Sequence, residues 1–506
     1  MGHFYVTTPI YYVNAAPHLG HAYTVIACDV LARHHRQRGE DVFFLTGTDE
    51  HGEPVADAAK ALGIEPKELA DRNAERFKAL MPRLEASNDF FIRTSDDEHK
   101  RRVQEVLQKV HDNGFTHLGV YEGWYCPRCA DFKVENEIGP DNTCPIHEIP
   151  LVREQEENWF FKLSAFQDRL EELYASQPDF VQPATRRNEA LSFIKSGLQD
   201  ISLSRAKLTW GVEVPWDPSH VFYVWFDALL NYYTALGYAR PGEDLTDRFW
   251  PATYHVIGKD ILKFHTVFWP AMLMAAGLQL PEHVFVHGFL LGGDGRKMSK
   301  SLGNVLDPFE AMDSYGVDAL RYYLSRDVQF GADGSVSMES LAARYEGELA
   351  NELGNLASRS IAMLRRYRDG RVPEGELDLQ DEFAGLADDV AQRLTGADLT
   401  GALDAIWQRV RRLNRYVEEQ APWSLAKDES RAADLDRVLH TLAEGVRTLA
   451  VLLWPWIPGS AERLLTALDR VDVSYARAQF GADVPETVAE LEPLFPKDRP
   501  AAPAGS

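Results

Sequence analysis

The sequence contains no apolar run long enough to cross a membrane. The stretch 452–454 is interrupted by Pro455, whereas a spanning helix needs about 20 consecutive apolar residues. Nothing resembles a secretory signal peptide, and with only four cysteines in 506 residues we expect no disulfide framework. We therefore expect a cytoplasmic protein that makes no contact with a membrane.

Positive charge is also scarce. The chain has 53 Lys and Arg residues against 77 Asp and Glu residues, which gives a net charge of −24. A general nucleic-acid-binding protein needs positive surface to meet phosphates, so this class is disfavoured, although local basic patches remain allowed. The composition, 45% hydrophobic and 26% charged, is typical of a globular protein with roughly two to four domains.

Three of the four cysteines lie in two metal-binding turns. Cys126-Pro-Arg-Cys129 offers two thiolates, and Cys144-Pro-Ile-His147 offers a thiolate and an imidazole. Four such ligands complete the tetrahedral coordination of Zn²⁺ and leave no open position, so we predict one structural zinc ion. The alternative is a group of reduced surface cysteines beside a histidine. We expect the fourth cysteine, Cys28, in the core.

Two short strings carry the main chemical prediction. His18-Leu19-Gly20-His21 places two histidines three residues apart, and therefore on one face of a helix. Gly20 leaves room for a flat adenine or ribose to approach the backbone. Lys297-Met298-Ser299-Lys300-Ser301 follows a glycine-rich stretch, and its lysines would act as point charges on a polyphosphate. An ordinary exposed basic loop is the alternative interpretation.

Strand and helix patterns alternate through much of the chain. Residues 4–8 and 42–46 predict strands on either side of a helix over 18–38, which forms a β-α-β unit whose helix begins at the histidine string. Further strand patterns occur at 221–226, 254–257 and 284–286. Beyond about residue 345 the pattern is helical. The sequence predicts an α/β fold: a Rossmann-type parallel sheet, split by a zinc-containing connective insert and followed by an all-α helix bundle.

Together, the histidine and lysine strings resemble the signature pair of the class I aminoacyl-tRNA synthetases. Four further motifs and the single zinc knuckle resemble the methionyl-tRNA synthetases. These motifs are Tyr11-Tyr12-Val13-Asn14, Gly47-Thr48-Asp49-Glu50-His51-Gly52, Trp225-Phe226-Asp227-Ala228-Leu229-Leu230-Asn231-Tyr232 and Gly258-Lys259-Asp260-Ile261. The resemblance extends from residue 3 to about residue 460, and it departs from the commonest histidine motif in having Leu19 in place of Ile.

The resemblance implies a ligase that activates methionine with ATP and Mg²⁺ to methionyl-adenylate and pyrophosphate. The enzyme would then transfer the methionyl group to the 3′ end of tRNA(Met), both initiator and elongator. The implied catalytic residues are His18, His21, Lys297 and Lys300. Gly20 and Ser299 would join these four in binding ATP, with His18 and His21 on the phosphates and ribose and both lysines on the departing pyrophosphate.

The resemblance also implies a methionine pocket. Its residues are Ile10, Tyr12, Asp49, Trp225, Ala228, Tyr232, Asp260 and His265. Asp49 would hold the α-ammonium by a charge-assisted hydrogen bond, and the aromatic residues suit a polarizable thioether. Taken singly, Trp225 and Tyr232 are more often core residues than ligand contacts.

The helical end resembles an anticodon reader, with Asn355, Arg359 and Trp423 as the implied contacts. Asn355 and Arg359 are four residues apart and share a helix face, and Trp423 would stack on an unpaired base. Arginines form two local basic patches, at 365, 366 and 368 and at 409, 411, 412 and 415. The alternative is a helix bundle with solvated arginines and a buried tryptophan.

These expectations divide the chain into segments. We predict a catalytic domain in two halves at 1–114 and 225–327, a zinc-containing insert at 115–224, a linker or stem-contact segment at 328–345, an anticodon-binding domain at 346–496 and a disordered tail at 497–506. No further oligonucleotide-binding barrel is visible, which favours a monomer.

Other functions are less consistent with these features. Leucine, isoleucine and valine synthetases carry a long editing insertion for which 506 residues leave little room. A cysteine-specific synthetase would use its zinc ion to bind the substrate thiol, and a smaller nucleotidyltransferase would lack the helical end. An inactive tRNA-binding scaffold is the alternative from another class, and it is opposed by the intact histidine and lysine strings.

Overall fold

The computed structural model describes residues 2–129, 131–133, 138–298 and 305–497. Its first part alternates strands and helices, and it confirms the predicted β-α-β unit. The elements are β1 (His3–Thr7), β2 (Tyr11–Tyr12), α1 (Leu19–Gln37), β3 (Asp41–Asp49), α2 (Glu53–Leu62), α3 (Pro66–Arg83), β4 (Phe90–Arg93) and α4 (Asp97–Asp112).

The region that contains the cysteines is mainly antiparallel. Its elements are β5 (Thr116–Cys126), β6 (Asp131–Lys133), β7 (Val152–Phe161), α5 (Gln167–Ser176), β8 (Val181–Gln182), α6 (Ala184–Lys195), β9 (Ile201–Ser202), β10 (Ser204–Arg205), β11 (Glu213–Val214) and β12 (Asp217–Phe222). One sheet has the order β6-β5-β7-β9, and a smaller sheet has the order β10-β12-β11. Cys126, the first cysteine of the first metal-binding turn, is the last residue of the long strand β5, and Cys129 follows three residues later.

The alternating pattern then resumes. Its elements are α7 (Val224–Leu229), α8 (Asn231–Thr234), α9 (Thr246–Phe249), β13 (Tyr254–Gly258), α10 (Trp269–Ala276), β14 (His283–His287), β15 (Leu290–Gly292), α11 (Pro308–Tyr315), α12 (Val317–Asp327) and β16 (Gly334–Val336). The strand predicted over 221–226 is partly wrong, because β12 ends at Phe222 and a buried helix begins at Val224. A short apolar run does not distinguish a strand from a buried helix.

The main sheet is parallel and has seven strands. Its order is β2-β3-β1-β13-β14-β8, and β4 pairs with β3. Strand β8 therefore belongs to this sheet although it lies inside the range 115–224. Alternate residues of β1 face opposite sides: Phe4 and Val6 pack with α1, whereas Tyr5 packs in a second core that contains Trp269 of α10. Helices cover both faces, as in a doubly wound α/β fold.

The last part of the chain is helical. Its helices are α13 (Met338–Arg344), a π-helical segment (Tyr345–Gly354), α14 (Asn355–Arg368), α15 (Gln380–Phe383), α16 (Leu386–Thr395), α17 (Leu399–Gln420), α18 (Pro422–Leu425), α19 (Ala432–Leu453) and α20 (Pro458–Ala467). Leu403, Ile406 and Val410 form a fully buried stripe on α17, as their helical spacing predicts. Among the described residues, no helix is long and apolar enough to span a membrane.

Candidate active site and metal centre

A pocket of about 360 Å³ lies at the carboxyl ends of the central parallel strands, where open α/β sheets bind ligands. Most of the predicted ATP and methionine contacts line this single pocket. They are Ile10, Tyr12, His18, Gly20, His21, Asp49, Trp225, Ala228, Tyr232, Asp260 and His265. Residues separated by more than two hundred positions meet here because β3, β13 and β14 end at the same edge of the sheet.

The two histidines of the first string begin helix α1. His18 is the N-cap residue, and its Nδ1 accepts a hydrogen bond from the Gly20 N–H at 3.1 Å. His21 Nδ1 accepts from the His18 N–H at 3.0 Å, and the two rings stack with centroids 3.7 Å apart. A backbone N–H only donates, so a neutral ring must carry its proton on Nε2. Each ring therefore offers one Nε2–H donor.

A neutral aromatic wall forms the inner end of the pocket. The His265 Nδ1–H donates to the Ile261 carbonyl at 3.1 Å, so its Nε2 accepts from the Tyr232 hydroxyl at 2.7 Å. Burial lowers the pKa of His265 to about 4, which keeps the ring uncharged at neutral pH. Trp225 stacks on Phe264 with ring centroids 3.7 Å apart.

Asp49 places a buried carboxyl group at the end of β3. The residue is only 3% exposed, and its Oδ1 accepts no hydrogen bond from the residues that the structure describes. Burial, together with the nearby charge of Asp227, raises the pKa of Asp49 well above its usual value. A buried polar atom without a partner is rare in folded proteins and is a candidate contact for a ligand that donates hydrogen bonds.

Asp227 lies at the centre of a buried network that the sequence analysis did not identify. Its carboxylate accepts from His51 Nδ1 at 2.5 Å and from His99 Nε2 at 2.7 Å. Although burial opposes ionisation, these two histidines lower the pKa of Asp227 to about 2. His51 and Asp227 both belong to motifs that carry the family resemblance, but nothing in their spacing indicates that they pair.

A second contact that the sequence did not predict joins α1 to β14. Thr24 Oγ1 and His287 Nε2 lie 2.8 Å apart, and both residues line the pocket. The only sequence signal for this contact is that Thr24 falls six residues after His18 on the predicted helix. His287 directly follows the strand predicted over 284–286 and is the last residue of β14, and its contact with Thr24 is visible only once the strand order is known.

The lysine string is described only at its beginning. Lys297 Nζ lies 3.4 Å from the Ile146 carbonyl, and Met298 packs against the core that contains α1. Ser299 and Lys300, which we predict to bind ATP, lie outside the described residues.

The four predicted metal ligands come together in the insert. The ligand atoms of Cys126, Cys129, Cys144 and His147 all lie within 4.8 Å of one another. His147 Nδ1 is 3.2 Å from Cys129 Sγ and 3.9 Å from the other two sulfur atoms. Ligand atoms around a tetrahedral zinc ion are about 3.6–3.8 Å apart. The donor set therefore fits a metal ion of that geometry, as the spacing of the two turns predicts.

Two of the three predicted anticodon contacts meet at one end of the helix bundle. The Arg359 guanidinium lies over the Trp423 ring at 5.6 Å and forms an ion pair with Glu418 at 2.8 Å. Trp423 is 37% exposed, which argues against the alternative interpretation of a buried tryptophan. Asn355 is exposed one helical turn before Arg359 on α14.

Four of the seven arginines in the predicted basic patches form ion pairs with acidic neighbours. Arg368 pairs with Asp436, and Arg365 pairs with Glu490. On α17, Arg411 pairs with Glu348 and Glu352, and Arg412 pairs with Glu382 and Glu419. These arginines therefore contribute less positive potential than the sequence suggests.

Comparisons with known proteins identify the family of the chain. Residues 4–150 and 140–361 match the family described as tRNA synthetases class I (M), and residues 373–493 match the anticodon binding domain of methionyl tRNA ligase. The methionine–tRNA ligase of Mesorhizobium japonicum is 47% identical over 511 residues, covering 98% of this chain and 97% of the relative. That of Streptomyces coelicolor is 47% identical over 482 residues, covering 92% and 89%.

A solved structure shows the same fold. Mycobacterium tuberculosis methionyl-tRNA synthetase in complex with methionyl-adenylate superposes with a TM-score of 0.94 at 42% identity, covering 98% of this chain and 100% of that chain. The chain has a parallel sheet with the histidine string at its carboxyl edge, and a helical domain follows. This is the arrangement of a class I aminoacyl-tRNA synthetase. Within that class, both matched families and all three proteins point to one amino acid. The chain belongs to the methionyl-tRNA synthetases. Its activity is that of a methionine–tRNA ligase, which activates methionine with ATP and transfers it to tRNA.

Proposed function

We propose that methionine and ATP bind side by side in the pocket at the carboxyl edge of the sheet. The observation that carries this proposal is that one pocket contains both a buried hydrogen-bond acceptor and two hydrogen-bond donors. Asp49 offers a buried acceptor without a partner among the described residues, and His18 and His21 each offer an Nε2–H donor. An ammonium group suits Asp49, because its positive charge would favour the ionised form of a carboxyl whose pKa burial raises.

The reaction is an in-line attack of the methionine carboxylate on the α-phosphate of ATP, which releases pyrophosphate. No side-chain nucleophile takes part, so catalysis depends on positioning and on stabilising negative charge. His18 and His21 donate to the phosphates and ribose, and Gly20 lets the adenine approach the backbone. Lys297 and Lys300 hold the departing pyrophosphate, Ser299 also binds the ATP, and Mg²⁺ assists.

The aromatic residues at the inner end of the pocket select the side chain of the substrate amino acid. Methionine is unbranched, apolar and polarizable, so its thioether gains from contacts with aromatic edges. Tyr232 and His265 are held to each other by a hydrogen bond, so neither needs a polar partner on the ligand. Ile10, Tyr12, Trp225 and Ala228 complete the apolar lining, and Asp260 faces the polar end of the substrate.

The metal site takes one zinc ion in a structural role. Three thiolates and one imidazole fill a tetrahedral sphere, so a zinc ion here would have no open position for substrate. When bound, the zinc ion would cross-link the two turns and would take no part in the reaction. Its four ligands then hold the tip of the insert near Lys297.

Asn355, Arg359 and Trp423 read the anticodon of initiator and elongator tRNA(Met). Trp423 stacks on an unpaired base, and the guanidinium over its ring is positioned to meet the neighbouring base or phosphate. We also propose that the enzyme acts as a monomer in the cytoplasm.

ATP–pyrophosphate exchange tests the proposal directly. The purified protein should exchange label only with methionine when all twenty amino acids are assayed separately. Lys300→Ala should reduce the exchange rate by orders of magnitude while methionine still binds, because the lysine acts on the pyrophosphate and not on the amino acid. Exchange with another amino acid, or a normal rate in Lys300→Ala, would contradict the proposed roles.

A further inference from the structure

One hydrogen bond closes the gap between helix α1 and strand β14 at the nucleotide end of the pocket. Thr24 Oγ1 and His287 Nε2 are 2.8 Å apart, and the two residues are 3% and 7% exposed. Thr24 lies one helical turn after Gly20, and its Oγ1 is 3.2 Å from the Gly20 carbonyl. The bond therefore connects the second turn of α1 to the strand that leads toward the lysine string.

The direction of this bond follows from the other nitrogen of the ring. His287 Nδ1 lies 2.8 Å from the Gly288 carbonyl, which can only accept, so Nδ1 carries a proton. Burial lowers the pKa of His287 to about 4, so the ring holds a single proton at neutral pH. Nε2 is then the acceptor, and the Thr24 hydroxyl donates to it rather than to Gly20.

Aromatic packing holds the imidazole in this orientation. The Tyr23 ring meets the His287 ring edge-on at 5.1 Å, and Phe330 stacks beside it at 6.2 Å. Phe330 in turn stacks on Phe285 of β14 at 4.4 Å. A ring fixed in this way cannot rotate to find another partner, so its Nε2 is a rigid acceptor for Thr24.

We propose that His287 is a positioning residue for ATP. Through Thr24 it sets the distance between the second turn of α1, one turn after Gly20, and the end of β14, and so the width of the nucleotide site. This inference rests on the proposed binding of ATP beside Gly20. Without the histidine acceptor, the Thr24 hydroxyl can turn to the Gly20 carbonyl. The fold then survives, but α1 loses this hydrogen bond to β14, so ATP binding suffers more than stability.

Steady-state exchange kinetics of two near-isosteric variants test this role. His287→Phe keeps an aromatic ring but removes the acceptor, and Thr24→Val removes the hydroxyl. Each should raise the KM for ATP roughly tenfold, while the KM for methionine changes by less than about twofold. The double variant should be no worse than either single variant, because both remove the same bond. His287→Gln, whose amide oxygen can accept from Thr24, should recover much of the affinity for ATP.

His283→Phe is the matched control, since His283 lies at the opposite end of β14 and contacts the Asp179 carbonyl. It should leave both KM values unchanged. Unchanged KM for ATP in Thr24→Val and His287→Phe would overturn the inference, as would equal increases in both KM values. If His287→Phe does not fold, Thr24→Val decides the matter alone. Failure of the unsubstituted protein to exchange with methionine would instead refute the proposed function.

Discussion

Arg321 of α12 donates to Asp29 of α1 at 2.6 Å, and both side chains are fully buried. The same guanidinium donates to the carbonyls of Leu84, Pro455 and Trp456. The Arg321 side chain therefore connects α1, whose N-cap residue is His18, to the turn between α19 and α20. These bonds also explain how an arginine can lie in the interior, because each of the three guanidinium nitrogens donates to at least one acceptor.

Arg321→Met should destabilise the protein by about 3 kcal/mol. The substitution leaves three carbonyls and a buried carboxylate without their donor, and breaking a buried pair costs about 3–5 kcal/mol. We expect the lower end because Asp29 retains Arg33 at 2.8 Å and two hydrogen bonds from Ser87. Urea unfolding followed by circular dichroism measures the change. Arg296→Met, on an exposed arginine, is the control, and a similar unfolding free energy for both variants would contradict the assigned role of the pair.

Asp49→Asn should raise the KM for methionine by roughly tenfold to a hundredfold in pyrophosphate exchange. A charge-assisted hydrogen bond to an ammonium contributes about 1.5–3 kcal/mol, and the amide removes the charge while keeping the shape. The KM for ATP should change little. Thermal stability should not fall, because the variant removes a buried acid with no described partner on Oδ1. A methionine KM equal to that of the unsubstituted protein would exclude Asp49 as the ammonium contact.

Cys126→Ser should lower the zinc content below one ion per chain and destabilise the insert. Three ligands hold zinc more weakly than four, and the free energy of metal binding contributes directly to folding. Elemental analysis and thermal unfolding measure the two effects. Cys28→Ala is the matched control, because Cys28 is buried beside the Thr7 carbonyl and far along the chain from the cluster. Absence of metal from the gently purified unsubstituted protein would refute the site.

Trp423→Ala should weaken aminoacylation of tRNA while leaving ATP–pyrophosphate exchange intact. Removing a stacking aromatic costs about 1–3 kcal/mol per base, so the KM for tRNA should rise by roughly fivefold to a hundredfold. Exchange does not require tRNA and serves as the internal control. Equal losses in the two assays would show that Trp423 acts in packing rather than in reading a base.

Local patterns in the sequence predict much of the fold and part of the site. The helix α1, its N-terminal histidines and the strands on either side follow from spacing within some forty residues. The metal ligands follow from two short turns, and the structure brings all four together. The strand expected over 221–226 is the clearest failure, because a buried helix and a buried strand share the same apolar composition.

The sequence by itself determined the kind of reaction and the metal site, because the histidine string, the lysine string and the metal-binding turns are each short local motifs. Only the tertiary structure decided which distant side chains meet. Thr24 pairs with His287, and Asp29 pairs with Arg321, across more than 250 positions in each case. No local periodicity records such a contact, because it depends on which strands are neighbours in the sheet and on how the helices pack over them.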